Sequence, residues 1–108
     1  MGEDKEVLVV LCTVPPRDAH RIAEALVEER LAACVNVLPA LTSYYRWEGK
    51  MQQDEESLLL IKTTSDAYGR LERRLKELHP YSVPEILALP VREGSEDYLR
   101  WVLREVSP

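Results

Sequence analysis

Apolar and polar positions divide the chain into blocks that alternate between strand and helix patterns. The block Val7–Val14 is apolar at almost every position, which is typical of a central strand covered on both faces. Pro15 and Pro16 end this strand, and Asp18 can cap the helix that follows. Apolar residues then recur at helical spacing and form one face of that helix, namely Ala19, Ile22, Ala23, Leu26, Val27 and Leu31.

A long β-hairpin is predicted for the middle of the chain. Residues 33–38 form a strand, Pro39 interrupts it, and residues 42–47 resume it with β-branched and aromatic side chains. Glu48 and Gly49 form the turn, because glycine accepts the backbone conformation that tight hairpins need. The chain then returns along the other arm.

The returning arm is polar over residues 51–56 and apolar over residues 57–63, so we expect one strand that runs from solvent into the core. Both arms are longer than the strands of an ordinary small sheet. The first arm carries Tyr44, Tyr45 and Trp47, which would be exposed in an isolated subunit beside open strand edges. The hairpin therefore predicts self-association.

The rest of the chain completes an α+β pattern. A second helix is predicted for residues 65–79, which Pro80 ends, and a last core strand for residues 83–91. Ser95 caps a final helix. The order β-α-β-β-α-β is typical of a ferredoxin-like sandwich, here with an extra C-terminal helix, and right-handed crossovers place the strands in the order 4-1-3-2. We interpret residues 1–108 as a single domain.

The predicted topology leads to a hypothesis about which residues meet. We expect the C-terminal ends of strands one and three and the N-terminal ends of strands two and four to share one edge of the sheet. That edge would collect Cys12, Thr13, Cys34, Asn36, Lys62, Thr63, Pro84 and Glu85, with His79 and Tyr81 leading into it. The amide of Asn36 and the ammonium of Lys62 need polar partners, so this pair suggests a polar pocket.

Composition and charge limit the kinds of molecule that we expect the protein to bind. The chain has 14 basic and 19 acidic residues, a formal net charge of -5, which disfavours binding to nucleic acid. The first apolar run is too short for a signal peptide or a membrane span, so no membrane association is expected. The two cysteines, Cys12 and Cys34, lack the spacing of a disulfide framework, which favours a reducing compartment and a cytoplasmic protein.

Several segments in the right order resemble the CutA family of divalent-cation tolerance proteins. They are VLCTVP at 10–15, EERLAACVNVLP at 28–39, SYYRWEGK at 43–50, LLLIKT at 58–63, HPYSVPEILALP at 79–90 and YLRWV at 98–102. The resemblance implies a ferredoxin-like subunit in a tight homotrimer, with hairpin arms that pair across subunits in an architecture similar to the PII signalling proteins. It also implies a role in the response to divalent metal ions.

The resemblance further implies copper binding through Cys12 and through histidines at the end of the second helix. Here those positions are Leu78 and His79, so only one imidazole is present. Two soft ligands make a weak site for copper or zinc unless water, Glu85 or another subunit completes it, and we expect low affinity. The alternatives are that Cys12 is a small core hydrophobe and that His79 caps its helix.

Catalytic motifs are absent from the sequence, which contains neither a glycine-rich phosphate loop nor a nucleophile elbow nor an HExxH or CxxC pair. We therefore expect a protein that is not an enzyme. One alternative is a small hydrolase in which Cys12, His79 and Glu85 act as a triad. Another is a PII-like trimeric sensor that binds a small anionic ligand between subunits, with Lys62 as the charge partner.

Overall fold

The computed structural model describes residues 5–107, which form one antiparallel sheet of four strands and three α-helices. In chain order the elements are β1 Val7–Val14, α1 Ala19–Glu28, β2 Cys34–Trp47, β3 Lys50–Thr64, α2 Tyr68–Leu78, β4 Leu87–Pro90 and α3 Glu96–Glu105, with a short 3-10 turn at Pro16–Asp18. The strands lie in the order β2-β3-β1-β4. The predicted α+β fold class and strand order are therefore confirmed.

One face of the sheet is covered by α1 and α2. Successive strand residues point to opposite faces, so every second residue of β1 and of residues 57–63 in β3 faces these helices and is buried. Helices α1 and α2 present apolar residues at helical spacing to this face of the sheet. Fully buried members of this core include Val10, Cys12, Val14, Ile22, Leu26, Leu59, Ile61, Leu71 and Leu75. Burial of one large aliphatic side chain contributes about 1.5–3 kcal/mol, so this layer is the main source of the subunit's stability.

The opposite face of the sheet, here called the open face, is not covered by α1 or α2. It presents the alternate strand residues, among them Leu38, Leu87 and Leu89, which are 39%, 54% and 50% exposed. The C-terminal helix α3 packs at the end of the sheet where β1 begins, through Val102 and Val106. The rest of the open face is therefore uncovered and exposes these leucines.

The β2–β3 hairpin extends well beyond the other strands. β1 ends where Val14 pairs with Ser57, whereas β2 and β3 continue to pair as far as Trp47 and Lys50. The turn residues Glu48 and Gly49 have φ angles of 51° and 80°, as in a type I′ turn. The predicted hairpin and its turn are confirmed, and the arm makes the subunit elongated, at 45 × 25 × 22 Å.

Several element boundaries differ from the sequence prediction. β2 is one strand that passes Pro39 with an irregularity in register, and Ala40 takes a φ of 62° there. α2 begins at Tyr68, because residues 65–67 form a turn before it. Asp18 precedes α1 as expected, but its carboxylate pairs with Arg21 at 2.8 Å and makes no capping bond.

The prediction of a core strand over residues 83–91 is wrong in length and burial. β4 covers only Leu87–Pro90, and all four residues are exposed. Pro84 has no N–H to contribute to a strand ladder, and residues 79–86 instead form a loop that crosses the end of β1. This loop, here called the 79–86 loop, forms one wall of the candidate site.

The predicted common edge is also wrong. β1 and β3 are antiparallel neighbours, so Thr64 pairs with Val7 at the beginning of β1, and not with its end. β2 likewise begins beside the end of β3, where Cys34 pairs with Lys62. The expected set therefore divides between two ends of the sheet. Cys12, Thr13, Pro84 and Glu85 lie near one end, while Cys34, Asn36, Lys62 and Thr63 lie near the other.

No helix within residues 5–107 has both the length and the apolar character needed to cross a membrane.

Candidate functional site

A cavity of about 650 Å³ lies at the end of β1, between the hairpin arm and the 79–86 loop. It is here called the arm cleft. The hairpin contributes Ser43, Tyr44, Tyr45, Trp47 and Glu56, the loop contributes Tyr81, Ser82, Val83, Pro84 and Glu85, and β1 contributes Thr13. The three parts of the chain that build the cleft are therefore far apart in sequence.

Glu56 is the most buried ionisable residue of the arm cleft, at 5% exposed. It has the same orientation along β3 as Leu58 and Leu60, because strand side chains alternate with a period of two. Its Oε2 accepts a hydrogen bond of 2.8 Å from the Tyr81 hydroxyl. Within residues 5–107 no cationic group lies within ion-pair distance of it. A carboxylate is thus held at the cleft by one hydrogen bond and no cation.

Two tyrosines of the cleft donate hydrogen bonds to carboxylates of β3. The Tyr45 hydroxyl donates to Asp54 Oδ2, in the same way that Tyr81 donates to Glu56. Desolvation together with Glu56 raises the pKa of Tyr81 well above its ordinary value, and the hydrogen bond to Asp54 raises the pKa of Tyr45. Both phenols therefore remain protonated donors at neutral pH.

Cys12 lies next to Thr13 but on the other side of the sheet, in the core beneath the helices, and it is fully buried. Burial, with smaller contributions from the charges of Glu85 and Glu56, raises the pKa of its thiol to about 12. Its Sγ lies 3.8 Å from the carbonyl oxygen of Thr13. Cys12 therefore has the surroundings of a small core hydrophobe, the first alternative given above.

His79 is the C-cap residue of α2, and its ring is buried. Its Nδ1 accepts a hydrogen bond of 3.2 Å from the backbone N–H of Tyr81, so Nε2 carries the proton and donates to the Thr13 carbonyl at 2.8 Å. The His79 and Tyr81 rings also pack with centroids 4.7 Å apart. The imidazole therefore ties the 79–86 loop to β1 and uses both of its nitrogens in doing so.

The structure brings the three predicted metal residues to the same end of the sheet. Glu85 is exposed in the arm cleft, His79 bonds to the backbone of Thr13, and Cys12 is the next residue along β1. Their side chains do not converge on one point. Across residues 5–107, no group of three or more His, Cys, Asp or Glu side chains is arranged to hold a metal ion.

Lys62 and Asn36 meet on the open face at the other end of the sheet, as the sequence suggested for this pair. The ammonium of Lys62 donates to Asn36 Oδ1 and lies 3.9 Å from the Cys34 Sγ. Cys34, which alternation places on the open face, is half-buried. This polar group is separate from the arm cleft.

Sequence reasoning did not single out Glu56 and assigned Tyr45 and Trp47 only to an association surface. The sequence did contain an indication that Glu56 is buried. Glu56 continues the alternation of Leu58 and Leu60, so its side chain lies on the same face of the sheet as theirs. Its hydrogen bond to Tyr81 had no such indication, since the two residues are 25 positions apart.

Comparison with known proteins gives consistent matches over most of the chain. The family model described as CutA1 divalent ion tolerance protein matches residues 8–105. A Thermus thermophilus protein named divalent-cation tolerance protein CutA is 61% identical over 98 residues, which are 90% of this chain and 94% of the relative. The chloroplastic CutA protein of Arabidopsis thaliana is 47% identical over 96 residues, which are 88% of this chain and 53% of the relative.

Solved structures agree with these sequence matches. A divalent cation tolerance protein from Thermus thermophilus superposes with a TM-score of 0.91 at 56% identity and covers 94% of this chain and 99% of its own. A protein from Archaeoglobus fulgidus, described as a periplasmic divalent cation tolerance protein CutA, gives a TM-score of 0.89 at 34% identity and covers 94% and 99% of the two chains.

Proposed function

The chain belongs to the CutA1 divalent ion tolerance family, and on this basis we propose that it contributes to metal tolerance as a homotrimer that binds copper or another divalent cation weakly. The observation that carries this proposal is the unpaired negative charge of the arm cleft. Glu56 and Glu85 both line it, and the lining residues that belong to the described range 5–107 include no Lys, Arg or His. Such a site attracts cations and repels anions.

Metal ligation by Cys12, His79 and Glu85 is the specific form of this proposal. The residues of one subunit do not form a ready-made site, because the Cys12 thiol is protonated in the core and the ring nitrogens of His79 are both hydrogen bonded. A metal ion binds the thiolate and a free ring nitrogen, so binding has to displace protons and hydrogen bonds. Low affinity, or completion of the site by a second subunit, follows from these costs.

Calorimetric titration with Cu(II) and with Zn(II) tests this assignment. We expect weak binding by the wild type, weaker binding by Cys12→Ala, and stronger binding by Leu78→His, which adds an imidazole beside His79. Glu55→Gln is a suitable control, since Glu55 is exposed on the same strand as Glu56 but does not line the cleft. Equal affinity in the wild type and in Cys12→Ala would remove Cys12 from the site.

Trimer formation is supported by the surfaces that one subunit leaves uncovered. The open face exposes leucines, and the hairpin arm exposes Tyr44, Trp47 and Met51 at 65%, 47% and 67%. Large exposed apolar patches and unpaired strand edges are typical of association surfaces. Light scattering measures the mass directly, and a mass of one subunit would contradict the proposal.

The hydrolase alternative has little support. A nucleophilic cysteine acts as a thiolate, whereas Cys12 is buried with its pKa raised to about 12. His79 is also not free to act as a base for it, because its ring nitrogens bond to Thr13 and Tyr81. We therefore propose a binding protein and not an enzyme. Turnover of an activated ester that is lost in Cys12→Ala would reverse this conclusion.

The anion-sensor alternative rests on a different observation. Lys62 is a half-buried cation on the open face, and within residues 5–107 no carboxylate lies within ion-pair distance of it. An anionic ligand between subunits would find its charge partner there. A thermal shift with ATP that disappears in Lys62→Met would favour this function, and no shift would favour the cation-binding one.

For localisation we propose the cytoplasm, on the basis of two free cysteines that the structure leaves unlinked. Cell fractionation tests this directly. We also propose that nucleic acid is not a partner, because the net charge is -5. A salt-sensitive gel shift at low protein concentration would contradict that expectation.

A further inference from the structure

Two charged residues of β3 have no partner of opposite charge within their own subunit. Glu56 is buried and Lys62 is half-buried, yet within residues 5–107 neither side chain lies within ion-pair distance of an opposite charge. The Tyr81 hydroxyl donates to Oε2 of Glu56, and the Lys62 ammonium donates to the amide oxygen of Asn36. Each charge is therefore stabilised by a neutral group, which compensates only part of the cost of its burial.

Alternation along β3 places both charges on the open face of the sheet. Side chains that share this face run from Glu56 through Leu58 and Leu60 to Lys62. At about 3.3 Å per residue, the distance along the strand between the two charged residues is roughly 20 Å, so they cannot pair within one subunit. The open face of this strand therefore has a carboxylate at one end, an ammonium at the other, and two half-buried leucines between them.

This arrangement of charges and leucines is complementary to a second copy of itself. When the open faces of two copies pack together, their leucines are buried, including the exposed Leu87 and Leu89 of β4, and the acidic end of one strand can meet the basic end of the other. In a closed ring, each subunit gives its ammonium to one neighbour and receives an ammonium from the other. Lys50 has the same orientation at the tip of the hairpin, but it is exposed and therefore hydrated without a partner.

We propose that a second copy of this chain completes the arm cleft by placing its Lys62 ammonium against Glu56. The inference rests on the homotrimer of the proposed function and identifies a contact within it. Because Tyr81 donates to Oε2 of Glu56, the partner subunit's Lys62 donates to Oε1 in a charge-assisted hydrogen bond. Three equivalent pairs would form in a trimer. The exposed Glu85 remains available to the metal ion of the proposed function.

Charge reversal tests the pairing. Glu56→Lys and Lys62→Glu each place like charges against one another at every contact, so we expect trimers of either variant to dissociate at concentrations at least about tenfold higher than those of the wild type. Light scattering over a dilution series measures the midpoint of dissociation, and circular dichroism checks that the subunits remain folded. Glu28→Lys and Arg73→Glu make the same changes of charge at exposed helix positions, and these controls should leave the midpoint unchanged.

A mixture of the two reversed variants distinguishes a contact between subunits from damage within one subunit. A trimer that contains both variants has two complementary pairs and one like-charged pair, because each contact joins position 56 of one subunit to position 62 of the next. We therefore expect the mixture, and also the double variant, to form trimers at concentrations where each variant alone is dissociated. A mixture that stays dissociated, or unchanged midpoints in both single variants, would overturn the proposal.

Milder variants keep the test decisive if a reversed subunit does not fold. Glu56→Gln, Lys62→Met and their double variant form a mutant cycle, in which the double variant should shift the midpoint by less than the two single effects combined. Independent effects would contradict the pairing. A wild type with the mass of one subunit would contradict both this inference and the homotrimer, whereas a trimeric wild type with unaffected variants would contradict the pairing alone. Metal binding is judged separately, by the titration of Cys12→Ala.

Discussion

Both faces of the sheet carry large aliphatic residues, but these residues have different surroundings. On the covered face, Leu59 and Ile61 of β3 are fully buried beneath the helices. On the open face, Leu87 and Leu89 of β4 are half exposed, although they are equally apolar. Burial of the two β3 residues is complete within one subunit, whereas the leucines of β4 would need contact with other molecules to reach comparable burial.

Cys12 and Thr13 show how sharply this difference divides neighbouring residues. The Cys12 thiol lies in the dry core, where its pKa is raised to about 12, while Thr13 lines the arm cleft beside Glu56 and Tyr81. One step along a strand therefore separates a group buried in the core from a group that lines the arm cleft. The lesson is that sequence proximity does not make these residues members of one site.

The largest expected effect comes from charging the open face. Leu87→Glu combined with Leu89→Glu puts two carboxylates on a surface that we propose lies between subunits, where their burial would be costly. The double variant should have the mass of one subunit in light scattering, while we expect the wild type to have the mass of three. Val27→Glu, at an exposed apolar position of α1, is the control and should remain trimeric. A trimeric double variant would contradict the role given to the open face.

Adjacent leucines of β3 provide the next comparison. Leu59→Ala leaves a cavity in the covered core, and we expect it to lower the free energy of unfolding by about 3 kcal/mol. Leu60→Ala changes the open face instead, so its main effect should be a melting temperature that depends more steeply on protein concentration. Denaturant titrations at several concentrations distinguish the two. The comparison fails if both variants behave alike.

Alkaline pH should destabilise the covered face through the Cys12 thiol. The pKa of the Cys12 thiol is raised from an unfolded-state value of 9.0 to about 12, so the folded state favours the protonated form. This contribution to stability is fully present below pH 9.0 and is lost as the pH rises toward about 12. At pH 10 the loss is about 1.4 kcal/mol.

Cys12→Ala isolates this effect from other groups that titrate at high pH. The free energy of unfolding at pH 8 and pH 10 is compared in the two proteins, and the wild type should lose about 1.4 kcal/mol more than the variant. A parallel decrease in both proteins would mean that the thiol titrates normally and is hydrated.

The smallest effect is expected in the arm cleft. Tyr81→Phe removes the hydroxyl that donates to the buried Glu56, and we expect a loss of about 1 kcal/mol in the free energy of unfolding. Tyr45→Phe removes a similar bond to Asp54, which is exposed to solvent, and should cost less. Urea denaturation of both variants measures the difference. A larger loss in Tyr45→Phe would show that the buried carboxylate does not depend on Tyr81.

Much of the fold could be predicted from the local pattern of apolar and polar residues. The apolar run of β1, the helical spacing in α1 and the turn at Glu48 and Gly49 each depend on a few neighbouring residues, and they were predicted correctly. The beginning of β4 was harder, because the same run of apolar residues can form a strand or a loop. Pro84 and the bond from Tyr81 to Glu56 decide between the two, and that bond is a long-range contact.

The candidate site could likewise be predicted only in part from the sequence. Cys12, His79 and Glu85 were correctly assigned to one end of the sheet, yet the sequence could not tell which way each side chain points or which hydrogen bonds it makes. Lys62 was assigned to the wrong end, because the direction of β3 relative to β1 was misjudged. The cleft carboxylate Glu56 was placed in solvent with the rest of the polar arm.

The sequence by itself determined the order of elements, the strand order, the long hairpin and the family, because periodicity, turn residues and matched segments are local properties of the chain. Only the tertiary structure decided that Cys12 is sealed in the core, that His79 joins the 79–86 loop to Thr13, and that an acidic, aromatic cleft forms beside them. The physical reason is that burial, charge compensation and hydrogen-bond partners depend on groups that are distant in sequence. Their positions are fixed only when the hairpin, β1 and the loop pack together.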